Sequence, residues 1–326
     1  MTHLLHLLFP ALILGLSAFA DETADVCPKT SIKPCACKTY YDGSCIITCG
    51  LASQKDLQRL ADVPNLCNGH VHFMLVNSKV DGIPAKLWNT LLSSKTVDVA
   101  IKHTRVGGIV PPGGDSIPKV YTSGTAAIKL DHAKVGQWDW KQLSNFYSEE
   151  DLTLVIDDTP LSELGSDFGS IANGRVHKIT IDNTGLNSIQ ENQFAGFTDL
   201  SSLSLQNNKL TSVSRALIAK PANKLQFLHL NGNSLTTLPG DLFSEMPVLE
   251  VVYLRDNNIK YLPQEIFQSL SSKVQRIDLV RNPWECNCKL AWILKNTKVF
   301  VNFGDCASPE SLAGKKVRNL PELLEC

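Results

Sequence analysis

The sequence predicts an α/β solenoid, a horseshoe of short parallel strands along a concave face with a disulfide-bonded cap at each end. Three observations predict it. An eleven-residue pattern recurs through the second half, with starts 24 or 25 residues apart. The same spacing can be followed backwards into the first half. All ten cysteines lie outside the repeated region. A period in this range marks stacked repeats, each of which buries its core only against its neighbours.

The chain opens on Met1 to Ala20, which holds no Lys, Arg, Asp or Glu. Leu4 to Leu16 is an apolar run, and Ala18-Phe19-Ala20 sets small residues where a signal peptidase reads. Residues 1–20 are therefore expected to be a secretory signal peptide, with Asp21 as the mature N-terminus. The run is shorter than the ~20 apolar residues of a membrane span, and no other stretch is longer. The chain ends on Cys326 without a hydrophobic tail, which argues against a C-terminal lipid anchor.

Residues 21–69 are expected to form an N-terminal cap carrying Cys27, Cys35, Cys37, Cys45, Cys49 and Cys67. Residues 282–326 form the C-terminal cap with Cys286, Cys288, Cys306 and Cys326. Even numbers of cysteines in a secreted chain argue for disulfides. Zinc is disfavoured because no well-spaced His accompanies Cys35-x-Cys37 or Cys286-x-Cys288.

Residues 70–281 hold about nine repeats. The last five read Val176-x-x-Ile179-x-Ile181, Leu200-x-x-Leu203-x-Leu205, Leu225-x-x-Leu228-x-Leu230, Leu249-x-x-Val252-x-Leu254 and Val274-x-x-Ile277-x-Leu279. Four more divergent ones start at His70, Thr96, Thr125 and Asp151. The fourth and sixth positions should point inward from a strand paired in parallel about 4.8 Å from the next. Phe194, Phe243 and Phe267 should fill the convex side. The ninth position is Asn in four repeats (Asn208, Asn233, Asn257, Asn282) but Ser78, Thr104, Ala133, Thr159 and Thr184 elsewhere. A hydroxyl satisfies fewer backbone groups than an amide, so the first half is expected to be less regular and less rigid. Gly107 to Gly114 reads as an inserted surface loop.

This pattern is the leucine-rich repeat. Asn282-Pro283-Trp284-x-Cys286-x-Cys288-x-Leu290-x-Trp292, with Cys306 and Cys326 behind it, resembles the C-terminal cap of extracellular proteins of that family. The resemblance implies the pairs Cys286–Cys306 and Cys288–Cys326. Cys27-Pro28, Cys35-x-Cys37 and Ile47-x-Cys49 resemble the N-terminal cap, implying Cys27–Cys37 and Cys35–Cys49. Cys45 and Cys67 depart from the family pattern; they are paired by elimination, with a swap between Cys45 and Cys49 left open. Cys27-Pro28 … Pro34-Cys35-x-Cys37 with divergent early repeats is also similar to small secreted arthropod members, among them the non-catalytic subunit of a decapod shrimp luciferase.

The second, third, fifth, seventh and eighth positions of each strand are expected on the concave face. Two patches result. Asp131, Asp157 and Asp182 stack in the seventh column with Asp158 beside them. At ~5 Å two carboxylates repel by roughly 1 kcal/mol in water. Three readings offset that repulsion. Lys102, Lys129 and Lys178 neutralise the ladder, or a basic partner covers it, or a divalent cation such as calcium binds there. His103 and His132 lie in the eighth column, either as exposed rings without a role or as groups that tune the patch with pH. The second patch joins Phe227 and Val251 with His229, Tyr253 and Arg255, the composition of an interface hot spot; the alternative is that these rings cover one another across strands.

Net charge is −1 with no basic tract, which gives no footprint for nucleic acid or an anionic membrane. No Gly-x-Ser-x-Gly or His-Glu-x-x-His motif occurs, and the Gly107–Gly114 stretch lacks the lysine of a phosphate loop. The sequence thus points to a secreted, non-enzymatic module without a cofactor, binding an extracellular protein ligand through its concave face. The alternative, which the arthropod likeness implies, is a non-catalytic accessory subunit beside a secreted catalytic chain.

Overall fold

The computed structural model describes residues 27–324 except 29, 65, 68, 113–119, 174 and 297–298. The expected signal peptide, Gly113, Gly114 and Cys326 lie outside the described residues.

Twelve strands form one sheet in which spatial order follows chain order. They are β1 (Cys35–Thr39), β2 (Cys45–Gly50), β3 (Val71–Val76), β4 (Val97–Lys102), β5 (Ala126–Asp131) and β6 (Leu152–Asp157), then β7 (Val176–Asp182), β8 (Ser202–Ser204), β9 (Phe227–His229), β10 (Val251–Tyr253), β11 (Arg276–Asp278) and β12 (Phe300–Asn302). Only β1 and β2 pair antiparallel; every later neighbour is parallel. Each returning segment crosses the convex side, which is how successive strands come to run the same way.

The inward columns account for the core. Phe73, Val99, Ile128, Leu154, Ile179, Leu203, Leu228, Val252 and Ile277 are buried in the fourth position. Leu75, Ile101, Leu130, Ile156, Ile181, Leu205, Leu230, Leu254 and Leu279 are buried in the sixth. Early convex crossings are helical. In α1 (Gln54–Leu60), Ser53 and Asp56 exchange capping hydrogen bonds, and Leu57 and Leu60 face inward. In α2 (Ala85–Leu92), Leu87, Trp88, Leu91 and Leu92 do so. Later crossings are shorter, built from loops with single 3-10 turns such as Trp140–Leu143 and Phe168–Asn173 and one four-residue helix, Glu265–Gln268, and are packed by rings. Trp140, Phe168 and Phe194 form a run with edge contacts of 4.9 and 5.5 Å. Phe243 is buried, and Phe267 packs partly buried against the same core.

Three expectations need correction. The second position was placed on the concave face, yet Val71, Val97, Ala126 and Leu152 are buried. The first four repeats are six-residue strands whose inward residues alternate, with Ala100 and Ala127 buried between them, so their inward set begins one residue later than in the last five. The change of frame falls between β6 and β7, where the register shifts after Leu152. Second, the first half is not the less regular one. Its strands pair over six residues, against three from β8 onward. Its ninth-position hydroxyls also carry a ladder: Ser78 Oγ accepts from Ala52 N, Thr104 Oγ1 from Ser78 N, and Thr159 Oγ1 from Ala133 N. Third, Gly107 to Gly114 is not simply a surface loop, because Ile109 and Val110 are buried. A Cβ on Gly82 would stand 2.5 Å from the Val110 carbonyl carbon, so glycine is required for that approach.

The caps extend the solenoid. Ile47 and Cys49 of β2 lie opposite Phe73 and Leu75, in the inward columns. Disulfides join Cys27 to Cys37, Cys35 to Cys49 and Cys45 to Cys67. At the other end Cys286 is joined to Cys306. Cys288, which opens α3 (Cys288–Asn296), is also disulfide-bonded. Trp284 is buried, packs edge-on to Phe303 at 5.1 Å and donates its indole N–H to the Phe303 carbonyl.

The concave face as a candidate recognition surface

One residue per repeat follows each strand in the left-handed conformation: Asn77, His103, His132, Asp158, Asn183, Asn207, Gly232, Asp256 and Arg281. This eighth column forms a rim beside the concave strands. Gly takes that conformation freely and Asn, Asp and His more readily than most residues, whereas Arg281 takes it at a cost.

The aspartate ladder is assembled as a register would place it. Asp131 lies opposite Lys102 on one side and Asp157 on the other, and Asp157 lies opposite Asp182. Each carboxylate has a different answer to the repulsion. Asp131 meets His132 Nδ1 at 2.5 Å and Lys102 Nζ at 3.4 Å. The His132 hydrogen bond, aided by Lys102, holds its carboxyl below the ordinary carboxylate range. Asp157 accepts from Asn183 Nδ2 at 2.7 Å. Asp158 stands 3.6 Å from His132 Nε2. Asp182 accepts from Ser204 Oγ, Gln206 N and Gln206 Nε2. Burial nevertheless pushes its carboxyl above the ordinary range. Of the expected lysines, Lys129 pairs with Asp98 at 3.0 Å, while Lys178 acts on His229. Among the described residues no group of three or more His, Cys, Asp or Glu is arranged to hold a metal ion.

From Asp182 the seventh column continues as a hydrogen-bonded series. Asn231 Nδ2 donates to Gln206 Oε1, and Asn231 Oδ1 accepts the Arg255 N–H, each at 2.8 Å. The acidic ladder and the aromatic patch are thus linked through one row of side chains.

The aromatic patch is brought together on β9 and β10. Phe227 lies opposite Val251, and His229 opposite Tyr253 with ring centroids 5.0 Å apart. Burial, with Lys178 nearby, lowers the pKa of His229 and favours its neutral ring. Three members of this patch were not singled out from the sequence. Arg276 lies over the Tyr253 ring at 5.7 Å and donates to the buried Asp278 at 2.9 Å. Phe300 of β12, opposite Arg276, is 64% exposed. Arg276 and Asp278 occupy the third and fifth positions of the ninth repeat, so extending the columns by one strand would have found them.

A leucine-rich-repeat family model matches residues 223–283. Human Toll-like receptor 6 is 29% identical over 184 residues, 51% of this chain and 22% of the receptor. Mouse nephrocan is 26% identical over 147 residues, 44% of this chain and 28% of nephrocan. Drosophila melanogaster chaoptin is 39% identical over 71 residues, 22% of this chain and 5% of chaoptin. The matches span less than a third of these relatives' lengths. Among solved structures, an octameric complex of latrophilin 3, Unc5D and the repeat domain of FLRT2 matches with a TM-score of 0.63 at 19% identity, covering 90% of this chain and 97% of the other. A complex of Toll-like receptor 13 with single-stranded RNA matches with a TM-score of 0.57 at 18% identity, covering 74% and 32%. These likenesses bear on fold. None of these named proteins is a luciferase subunit.

Proposed function

We propose, for this leucine-rich-repeat protein with cysteine-rich termini, the role of a secreted, non-enzymatic module that recognises an extracellular protein through its concave face. The observation that supports it is the half-exposed aromatic patch of Phe227, His229, Val251 and Tyr253 on the sheet. Rings held in a groove by neighbouring strands offer area that a partner can cover at little entropic cost. The disulfides of both caps fit an oxidising compartment. Among the described residues no helix is long and apolar enough to cross a membrane. The FLRT2 repeat domain, whose fold this chain shares, sits in an assembly with two other proteins. The Toll-like receptor 13 complex holds RNA instead, but a near-zero net charge supplies little of the phosphate attraction such binding needs.

Affinity purification of the tagged, secreted protein with chemical cross-linking tests this. Cross-links from a protein partner to Lys178, Lys129 or Lys102 support the concave face. Cross-links confined to the convex side overturn it. A small catalytic chain recovered in constant stoichiometry would replace this reading by the accessory-subunit one.

A further inference from the structure

At the C-terminal end of the concave face three arginines meet two aspartates. Arg281 forks onto Asp256. Arg276 donates to Asp278, which is buried and also accepts the Val280 N–H. Arg255 has only a long ion pair, with an Asp278 that Arg276 already holds. Its Nε is buried without a hydrogen-bond partner and stands 4.0 Å from Asp278 Oδ1, beyond hydrogen-bonding reach. Its side chain as a whole is 36% exposed. Its backbone is fixed by the bond from Arg255 N to Asn231 Oδ1, so the guanidinium is presented from a held position. Beside it lie Tyr253, already packed against His229 and Arg276, and the Phe227–Val251 pair.

Covering this groove would strip the remaining water from a cation whose carboxylate neighbours, Asp278 and Asp256, are already hydrogen-bonded by Arg276 and Arg281. Burying a charge without an acceptor is costly, and a neutral or basic partner offers no remedy. A carboxylate does, because the guanidinium fork matches its two oxygens. We infer that this end of the face selects an acidic protein segment, its carboxylate seated on Arg255 and an adjacent apolar or aromatic residue on Tyr253 and Phe227. The inference rests on the concave-face reading and adds the chemistry of the partner. Four strand steps separate Arg255 from Asp157, about 19 Å at ordinary strand spacing. The face is therefore basic at one end and acidic towards its middle, and a bound segment has one preferred direction.

Panning a random phage-displayed peptide library on the full secreted chain tests it. The expected peptides carry Asp or Glu within two residues of an aromatic. Their synthetic forms should lose about tenfold or more in affinity on Arg255→Gln, the scale of a close charge pair at an interface. They should also weaken on Phe227→Ala. Replacing the peptide's carboxylate by its amide should cost a similar factor on the parent and little further on Arg255→Gln, a cycle that separates the pair from any effect on folding. Peptides without acidic preference that still weaken on Phe227→Ala would end the carboxylate inference and leave the concave face standing. Peptides indifferent to both substitutions would end both.

Discussion

Leu152 on β6 lies opposite Val176 on β7, yet the next residue, Thr153, lies opposite Lys178. His177 is the residue passed over. It sits on the rim of the sheet with its Nδ1 3.2 Å from Asp151 Oδ1. This one bulge reconciles two kinds of repeat. Before it, inward residues alternate strictly; after it, an additional residue precedes the inward pair, giving the Leu-x-x-Leu spacing.

Deleting His177 should therefore be tolerated. The remaining strand would alternate as β3 to β6 do, and the frame change would move to the β7–β8 junction. Deleting Thr153 should not be, because it turns Leu152 and the residues behind it out of step with the core. Urea unfolding should show less than about 1 kcal/mol lost in the first case and more than about 3 kcal/mol in the second, the range of core disruption. Equal losses would refute this account of the frame.

The two ladders of the ninth position make a second prediction. Asn233 Oδ1 accepts from Leu210 N, and its Nδ2 donates to the Leu205 and Leu230 carbonyls, all buried. Asn233→Ala strands Leu210 N and the Leu205 carbonyl, the Leu230 carbonyl keeping Asn257 Nδ2, and should cost about 3 kcal/mol, whereas Thr104→Ala strands Ser78 N and should cost about 1 kcal/mol. Amide exchange should be no faster in β3 to β6 than in β8 to β11, since the longer strands compensate for the weaker side-chain ladder. Early exchange through Val71–Asp157 would restore the expectation drawn from composition.

The last five repeats and both caps were legible because leucine spacing and cysteine spacing are each set by a rigid geometry. The first four strands were legible in place but not in frame. His70, Thr96, Thr125 and Asp151 were fitted to a first position that those strands do not use, since a strictly alternating strand contains the same fourth and sixth residues. Reading Val71-x-Phe73-x-Leu75 as period two would have removed the error. The two concave patches were legible because columns follow directly from strand register. What the columns did not reveal was compensation. That Asp182 is held by Ser204 and Gln206, and Asp131 by His132, depends on rotamers and on the left-handed turn at the eighth position.

His132 gives the face a pH dependence with a definite sign. Both ring nitrogens face carboxylates, Asp131 and Asp158, while the tilted His103 ring lies 4.8 Å away and Lys102 and Asp157 stand close by. The Asp131 hydrogen bond, against some desolvation, raises its pKa above the ordinary 6.5. A raised histidine contributes stability that is fully present below the unfolded value and fades as pH rises through the folded one. Imidazole NMR should place the His132 midpoint above 6.5, and Asp131→Asn should bring it down. His132→Gln should remove part of the stability lost between mildly acidic and mildly alkaline pH. A midpoint below 6.5 in the parent would contradict the geometry.

Binding kinetics should separate the two halves of the concave face. Tyr253 is held between His229 and the Arg276 guanidinium, so it is already ordered and loses little freedom when covered. Truncating such a ring at the centre of an interface costs roughly 2 kcal/mol or more. Tyr253→Ala should therefore speed dissociation of the natural protein partner with little change in association. Asp157 is different. It lies mid-ladder with Asn183 as its hydrogen-bond donor, and its charge acts at a distance rather than through a buried contact. Charges of this kind set association rates and are screened by salt. Asp157→Asn should alter association at low ionic strength, slowing it for a partner whose facing end is basic, and the effect should vanish in high salt. Dissociation should hardly change. Surface binding measurements on both variants, at two salt concentrations, read these outcomes directly. If both variants bind like the parent, the partner does not use this face, and the convex crossings become the surface to test.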